Sequence, residues 1–247
     1  MTRIGTRISA DWLDRPEDLK FLKQIGVDYV DVVLDMVPGY NEAGGRANRE
    51  GLHQVMEKLD DAGLKIERAN TSGTDYVNAF LGRPGGDREI ENLQINAELC
   101  GEAGLPMFGI QAFQVSTLHP FRENFHSWVT GRGGYQHHQM RVRELADMPL
   151  RADAPSAEQI WEGTLNIYKS VMPVLDQHNL KVGMHGNDPP VPKINGVSQV
   201  LYNFDAFEKL FNEVPSKNNC MTFCVGTRYE SGEDIFEGIR RFGDKII

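Results

Sequence analysis

Two short apolar runs in this 247-residue sequence end on side chains able to bind a metal ion. Val182-Gly183-Met184 leads to His185, and Gly186-Asn187-Asp188-Pro189-Pro190 follows, a turn through which neither strand nor helix continues. Met221-Thr222-Phe223 leads to Cys224, with Val225-Gly226 after it. Both residues read as strand ends, and on neighbouring strands an imidazole and a thiolate would face a common point. Such a donor pair suits a borderline divalent metal better than Mg²⁺. Taken singly, a strand-end histidine is as readily a structural residue, and a free cysteine often behaves as a small buried hydrophobe. Cys220 suits that second role: at about 3.3 Å per residue its sulfur would lie about 13 Å from that of Cys224, too far to share an ion.

Other side chains offer themselves for catalysis or binding. Arg7 closes the first strand-like run, where its guanidinium fork could take a carboxylate or join a surface ion pair. Asp188 is a proton-transfer candidate, although an aspartate before proline also shapes turns. His119, His126, His137 and His138 crowd one polar stretch, and His138 is our candidate for a second proton-transfer group there, since imidazole titrates near neutrality. In the same stretch, Gly131-Arg132-Gly133-Gly134-Tyr135 offers Arg132 and Tyr135 as substrate contacts on a closing lid. Loop histidines and arginines are more often simply solvated.

The elements that position these residues follow from hydrophobic period. Apolar β-rich runs alternate with amphipathic stretches: strands near 4–9, 29–34, 64–69, 106–113, 180–185 and 219–225, helices near 15–24, 48–62, 87–103, 157–178, 205–213 and 232–242. Asp14 with Glu17, and Ser156 with Gln159, have the spacing of capping boxes. Alternation of this kind implies parallel strands with right-handed crossovers. No G-x-G-x-x-G or G-x-x-x-x-G-K-[ST] loop follows any strand, which disfavours a dinucleotide-binding or P-loop sheet. The expectation is an α/β fold, a (β/α)8 TIM barrel forming a single domain over 1–247. It would be cut short after about six strand-helix units, where Lys245-Ile246-Ile247 begins a seventh strand. The long polar segment 114–155 would be an insertion after strand 4, a loop or lid at the catalytic face.

Composition narrows the partners. A formal net charge of −9 disfavours nucleic acid, and no apolar run approaches the roughly 20 residues of a membrane span. The three cysteines make no disulfide framework. A cytoplasmic enzyme acting on a small molecule is the resulting expectation, with self-association left open.

The runs Met184-His185-Gly186-Asn187-Asp188-Pro189-Pro190 and Thr222-Phe223-Cys224-Val225-Gly226, with Ile160-Trp161 through Pro173 ahead of them, resemble the mannonate dehydratase family, sugar-acid lyases on a xylose-isomerase-like barrel. The resemblance is strongest over 156–247, and Gly186-Asn187 departs from the family's Pro-Asp. It implies that His185 and Cys224 are metal ligands, that further ligands lie beyond Ile247, and that Mn²⁺ is the usual ion, with Fe²⁺ or Co²⁺ alternatives. It also implies the reaction: D-mannonate loses water to give 2-keto-3-deoxy-D-gluconate, in hexuronate (glucuronate) catabolism. Two other readings stand beside it, a sugar isomerase or epimerase on the same barrel and a non-catalytic truncated remnant.

Overall fold

The computed structural model describes residues 3–114, 116, 118 and 126–247. Its main sheet contains β1 (Gly5–Arg7), β2 (Tyr29–Val33), β3 (Lys65–Asn70) and β4 (Met107–Gln111), continued by β7 (Lys181–His185) and β10 (Asn219–Met221). Every pairing in it is parallel, and the spatial order β1-β2-β3-β4-β7-β10 follows chain order without reversal. An open doubly wound sheet reverses direction at a switch point and carries helices on both faces. A sheet wound one way by right-handed crossovers keeps its helices on one face and curls away from them.

A single side chain demonstrates the curl. On β3, Arg68 donates from Nη1 to Thr222 Oγ1 at 2.6 Å, one residue past the end of β10. Two strands separate β3 from β10, so a flat sheet would hold them about 14 Å apart, beyond an arginine's reach. The alternation of each strand sorts the two faces. Val30, Val32, Phe108, Ile110, Val182 and Met184 are buried against the helices. Asp31, Gln111, Gly183 and His185 fall on the concave side.

The helical layer comprises α1 (Pro16–Gln24), α2 (Arg49–Asp61), α3 (Val77–Leu81), α4 (Gly86–Glu102), α6 (Ala157–Gln177), α7 (Phe204–Glu213), α8 (Val225–Glu230) and α9 (Ile235–Phe242). Buried stripes such as Leu52, Val55 and Leu59 on α2, or Ile160, Ile167, Val171 and Leu175 on α6, cover the sheet. Each such side chain stabilises by about 1.5–3 kcal/mol. Helix α6 approaches α3 so closely that a Cβ on Gly163 would stand 1.9 Å from the carbonyl oxygen of Phe80, so only glycine fits there. Among the described residues no helix is long and apolar enough to cross a membrane.

Local chemistry matches several expectations and corrects others. The Ser156–Gln159 capping box opens α6, with both reciprocal bonds present. The Asp14 cap does not form: Ala10–Asp14 is a 3-10 turn, and Asp14 binds Lys58 Nζ at 2.9 Å. Pro16 at the head of α1 explains how the helix starts without a side-chain cap, because its φ is preset and it has no N–H to satisfy. The last helix begins at Ile235 with Asp234 as its cap, not at Gly232. Ile246 makes an isolated parallel bridge to Met221, so the chain rejoins the sheet beside β10 where a further strand was expected.

Between β4 and α6 lie the antiparallel pair β5 (His126–Thr130) and β6 (Gln136–Met140) and the short helix α5 (Val142–Asp147). The Gly131–Tyr135 run is the hairpin's turn, with Gly133 and Gly134 at positive φ. A second small ribbon, β8 (Lys193–Ile194) with β9 (Val197–Ser198), folds over the strand ends through an Asn195-Gly196 turn with both residues at positive φ, a geometry this dipeptide favours.

Candidate functional site

At the C-terminal ends of the strands the concave face opens into a cavity of about 370 Å³, a size suited to a small metabolite. Arg7, Arg68, Gln111, His185 and Asp188 line it. In a parallel barrel this end gathers the loops of every unit, which is why ligands bind there.

His185 ends β7, paired with Gln111 at the end of β4. Its Nδ1 lies 2.8 Å from the carbonyl oxygen of Gly186. A carbonyl only accepts, so Nδ1 carries a proton, and in the neutral ring that leaves the lone pair on Nε2, the tautomer required of an imidazole that binds a metal through Nε2. The loop behind it is held firmly. Asn187 donates to Phe113 O at 3.1 Å and accepts from Leu201 N at 2.9 Å, and Gln199 bonds the carbonyls of Pro189 and Val191. Gly186 is needed for this packing, because a Cβ there would meet Leu201 O at 2.6 Å.

Cys224 lies beyond the neighbouring strand, since β7 and β10 are paired with Met184 opposite Met221. The strand stops at Met221, four residues earlier than the sequence suggested. Cys224 N–H bonds back to Thr222 O at 3.0 Å, closing a tight turn, and Cys224 becomes the residue before α8. Thr227 Oγ1 is 3.1 Å from Cys224 Sγ and 3.5 Å from Asp188 Oδ2, so one hydroxyl stands between thiol and carboxylate. Beneath them Arg228 is buried, donating to Tyr202 O and Glu233 Oε2 at 3.1 Å each. Burial pulls its guanidinium below the ordinary arginine value, and Glu233 opposes that shift.

Cys220 and Cys100 are fully buried, and burial raises both thiols, Cys100 to about 12. Neither is available for ligation. As donor types His185 and Cys224 suit a divalent cation, but among the described residues no three His, Cys, Asp or Glu side chains gather closely enough to hold one. The arrangement fits a metal in the kind of donor and supplies only part of the coordination.

Arg7 reaches the cavity from β1 and is loosely paired, 3.8 Å from Asp31 Oδ2. The structure does not bring Arg132, Tyr135 and His138 to the cavity lining. Arg132 and Tyr135 are exposed at the hairpin turn, and Tyr135 stacks on His137 at 6.2 Å. His138 on β6 is the cross-strand partner of Trp128 on β5, with ring centroids 4.8 Å apart. His119 lies outside the described residues. Sequence reading missed Arg68, Asp31 and Thr222. The signal for the two charged residues was their place inside strands of a parallel sheet, where near-continuous apolar runs are the norm: Asp31 in Tyr29–Val33 and Arg68 in Lys65–Asn70.

Residues 134–247 match the family model described as D-mannonate dehydratase (UxuA). The chain is 24% identical over 277 residues to the mannonate dehydratase of Brachyspira hyodysenteriae, an alignment covering 96% of this chain and 74% of that protein. It is 26% identical over 220 residues to that of Streptococcus agalactiae serotype Ia, covering 78% of this chain and 61% of the relative. The chain thus spans roughly three-fifths to three-quarters of these relatives' lengths. The crystal structure of mannonate dehydratase from Streptococcus suis serotype 2 superposes with a TM-score of 0.73 at 18% identity, covering 99% of this chain and 69% of that one, and so shares the barrel-type fold. By sequence the chain is therefore similar to mannonate dehydratases, through the family model over residues 134–247 and at 24–26% identity to these relatives.

Proposed function

We propose that this chain dehydrates a sugar acid with the help of a divalent metal. D-mannonate is the leading substrate, 2-keto-3-deoxy-D-gluconate and water are the products, and hexuronate (glucuronate) catabolism is the setting. The observation that carries this reading is His185: a strand-end imidazole with Nδ1 committed to a backbone carbonyl, on a cavity shared with Arg7 and Asp188, and with Cys224 following the adjacent strand.

The reaction breaks the C–H bond next to the carboxylate and the C–O bond of the neighbouring hydroxyl, and the resulting enol becomes the 2-keto acid. That C–H proton is very weakly acidic, so the site must stabilise developing negative charge. Arg7 would bind the carboxylate through its charged fork. Asp188, at the cavity rim beside the Thr227 hydroxyl, is the candidate for moving a proton. His185 and Cys224 would hold the metal, most suitably Mn²⁺, with Fe²⁺ or Co²⁺ as alternatives; when bound it supplies Lewis-acid stabilisation of the carboxylate and hydroxyl oxygens. Arg132, Tyr135 and His138 receive no role in this scheme.

The test is incubation of the chain with Mn²⁺ and D-mannonate, following 2-keto acid formation. Unchanged mannonate with turnover of a ketose would favour isomerisation or epimerisation. Failure with both classes of substrate would favour a non-catalytic protein.

A further inference from the structure

The cationic wall of the cavity carries more information than one carboxylate-binding arginine. Arg68 donates from Nε (3.1 Å) and Nη2 to Asp31 Oδ2, and from Nη1 to Thr222 Oγ1 at 2.6 Å. Three of its five N–H groups are therefore engaged, and the side chain, 16% exposed, is clamped across the concave face with its remaining N–H groups on a residue that lines the cavity. Arg7 approaches the same Asp31 oxygen from β1 at 3.8 Å and is 56% exposed. Nearby Glu67 does not alter the balance, because it pairs with Arg3 at 3.0 Å. One carboxylate thus serves two guanidiniums, so this wall of the cavity carries one positive charge in excess, while Asp188 lines the same cavity on the loop after His185, beside the Thr227 hydroxyl.

We infer that Asp31 and Arg68 set the charge of the ligand this cavity accepts: a sugar derivative with one carboxylate, in preference to a neutral polyol or a dicarboxylate. This rests on the sugar-acid reading above. Arg68 is the specificity-determining residue, a charge fixed in place before the ligand arrives, so little ordering is lost on binding. Asp31 is a positioning residue. It orients Arg68, restrains Arg7, and cancels the second positive charge that would otherwise welcome a second carboxylate. Charge matching of this kind discriminates by rejecting the wrong ligand as much as by holding the right one.

The test uses the 247-residue chain in EDTA, so that binding is read without turnover, and measures affinity for D-mannonate, D-mannitol and D-mannarate, which carry one, no and two carboxylates. Wild type should prefer mannonate over each of the others by at least about tenfold, the worth of a charge-assisted hydrogen bond. Arg68→Gln should abolish the preference over mannitol, and Arg68→Lys should restore part of it. Asp31→Asn should shift the mannarate-to-mannonate ratio by about tenfold toward mannarate, and it decides the matter if Arg68→Gln does not fold. A wild type without preference for mannonate, or unchanged ratios in Arg68→Gln or Asp31→Asn, would overturn the inference. Separate turnover assays with Mn²⁺ keep the two readings distinct: the expected binding pattern without 2-keto acid overturns only the dehydratase reading, whereas turnover with unaltered ratios in the variants overturns only this one.

Discussion

The strand-end cavity and the β5–β6 hairpin both concentrate side chains that look chemically capable, and they differ in how those side chains are held. Around the cavity the central polar groups are tied to partners: Arg68 to Asp31 and Thr222, His185 to Gly186 O, Asn187 to Phe113 O and Leu201 N. On the hairpin, Trp128 and Tyr135 are each 70% exposed, and their ring contacts, with His138 and His137, are with neighbours in the same hairpin. A two-stranded hairpin is marginal on its own in water. Chemical potential in the side chains is shared by both regions, whereas preorganisation, which catalysis requires, belongs to the cavity.

The largest effect that would test this contrast is on activity. His185→Ala or Cys224→Ala should lower 2-keto acid formation from mannonate by about a thousandfold, several kcal/mol at the transition state, as should chelation of the metal. Near-normal turnover in either variant would remove that residue from the site. Next comes Arg228→Met, which strips Glu233 of its buried partner below Cys224 and should cost about 3 kcal/mol of stability in chemical denaturation. Gly163→Ala drives a methyl into Phe80 O where α6 meets α3, and should cost about 2 kcal/mol by the same measurement; a loss below experimental error would mean the helices separate freely. Ser156→Ala removes one half of the capping box and should lower stability by about 1 kcal/mol. At the small end, His138→Gln and Trp128→Ser should change stability by no more than about 0.5 kcal/mol and activity by no more than about twofold. A tenfold loss of activity in His138→Gln would break the contrast by making the hairpin part of the site.

Much of the architecture was legible before any coordinates. Hydrophobic period located the six parallel strands and the principal helices, because a period near 3.6 or unbroken β-rich runs reflect which face is buried. The Ser156 box and the glycine-proline turn after His185 are local rules that the structure obeys. Boundaries were less secure where tertiary contacts compete with local preference. Asp14 left its helix for Lys58, and the strand leading to Cys224 ended early in a tight turn.

The amino-acid order alone determined that parallel strands alternate with helices and that His185 and Cys224 fall at or just beyond strand ends, since those features depend on neighbours within a few residues. Only the tertiary structure decided that the sheet winds in one direction and curls, that Asp31, Arg68 and Thr222 meet across its concave face, and that His138 and Tyr135 stay outside the cavity lining. Those facts rest on contacts between residues as many as 154 positions apart, and pairing at that range depends on sheet curvature and on burial shared by many strands.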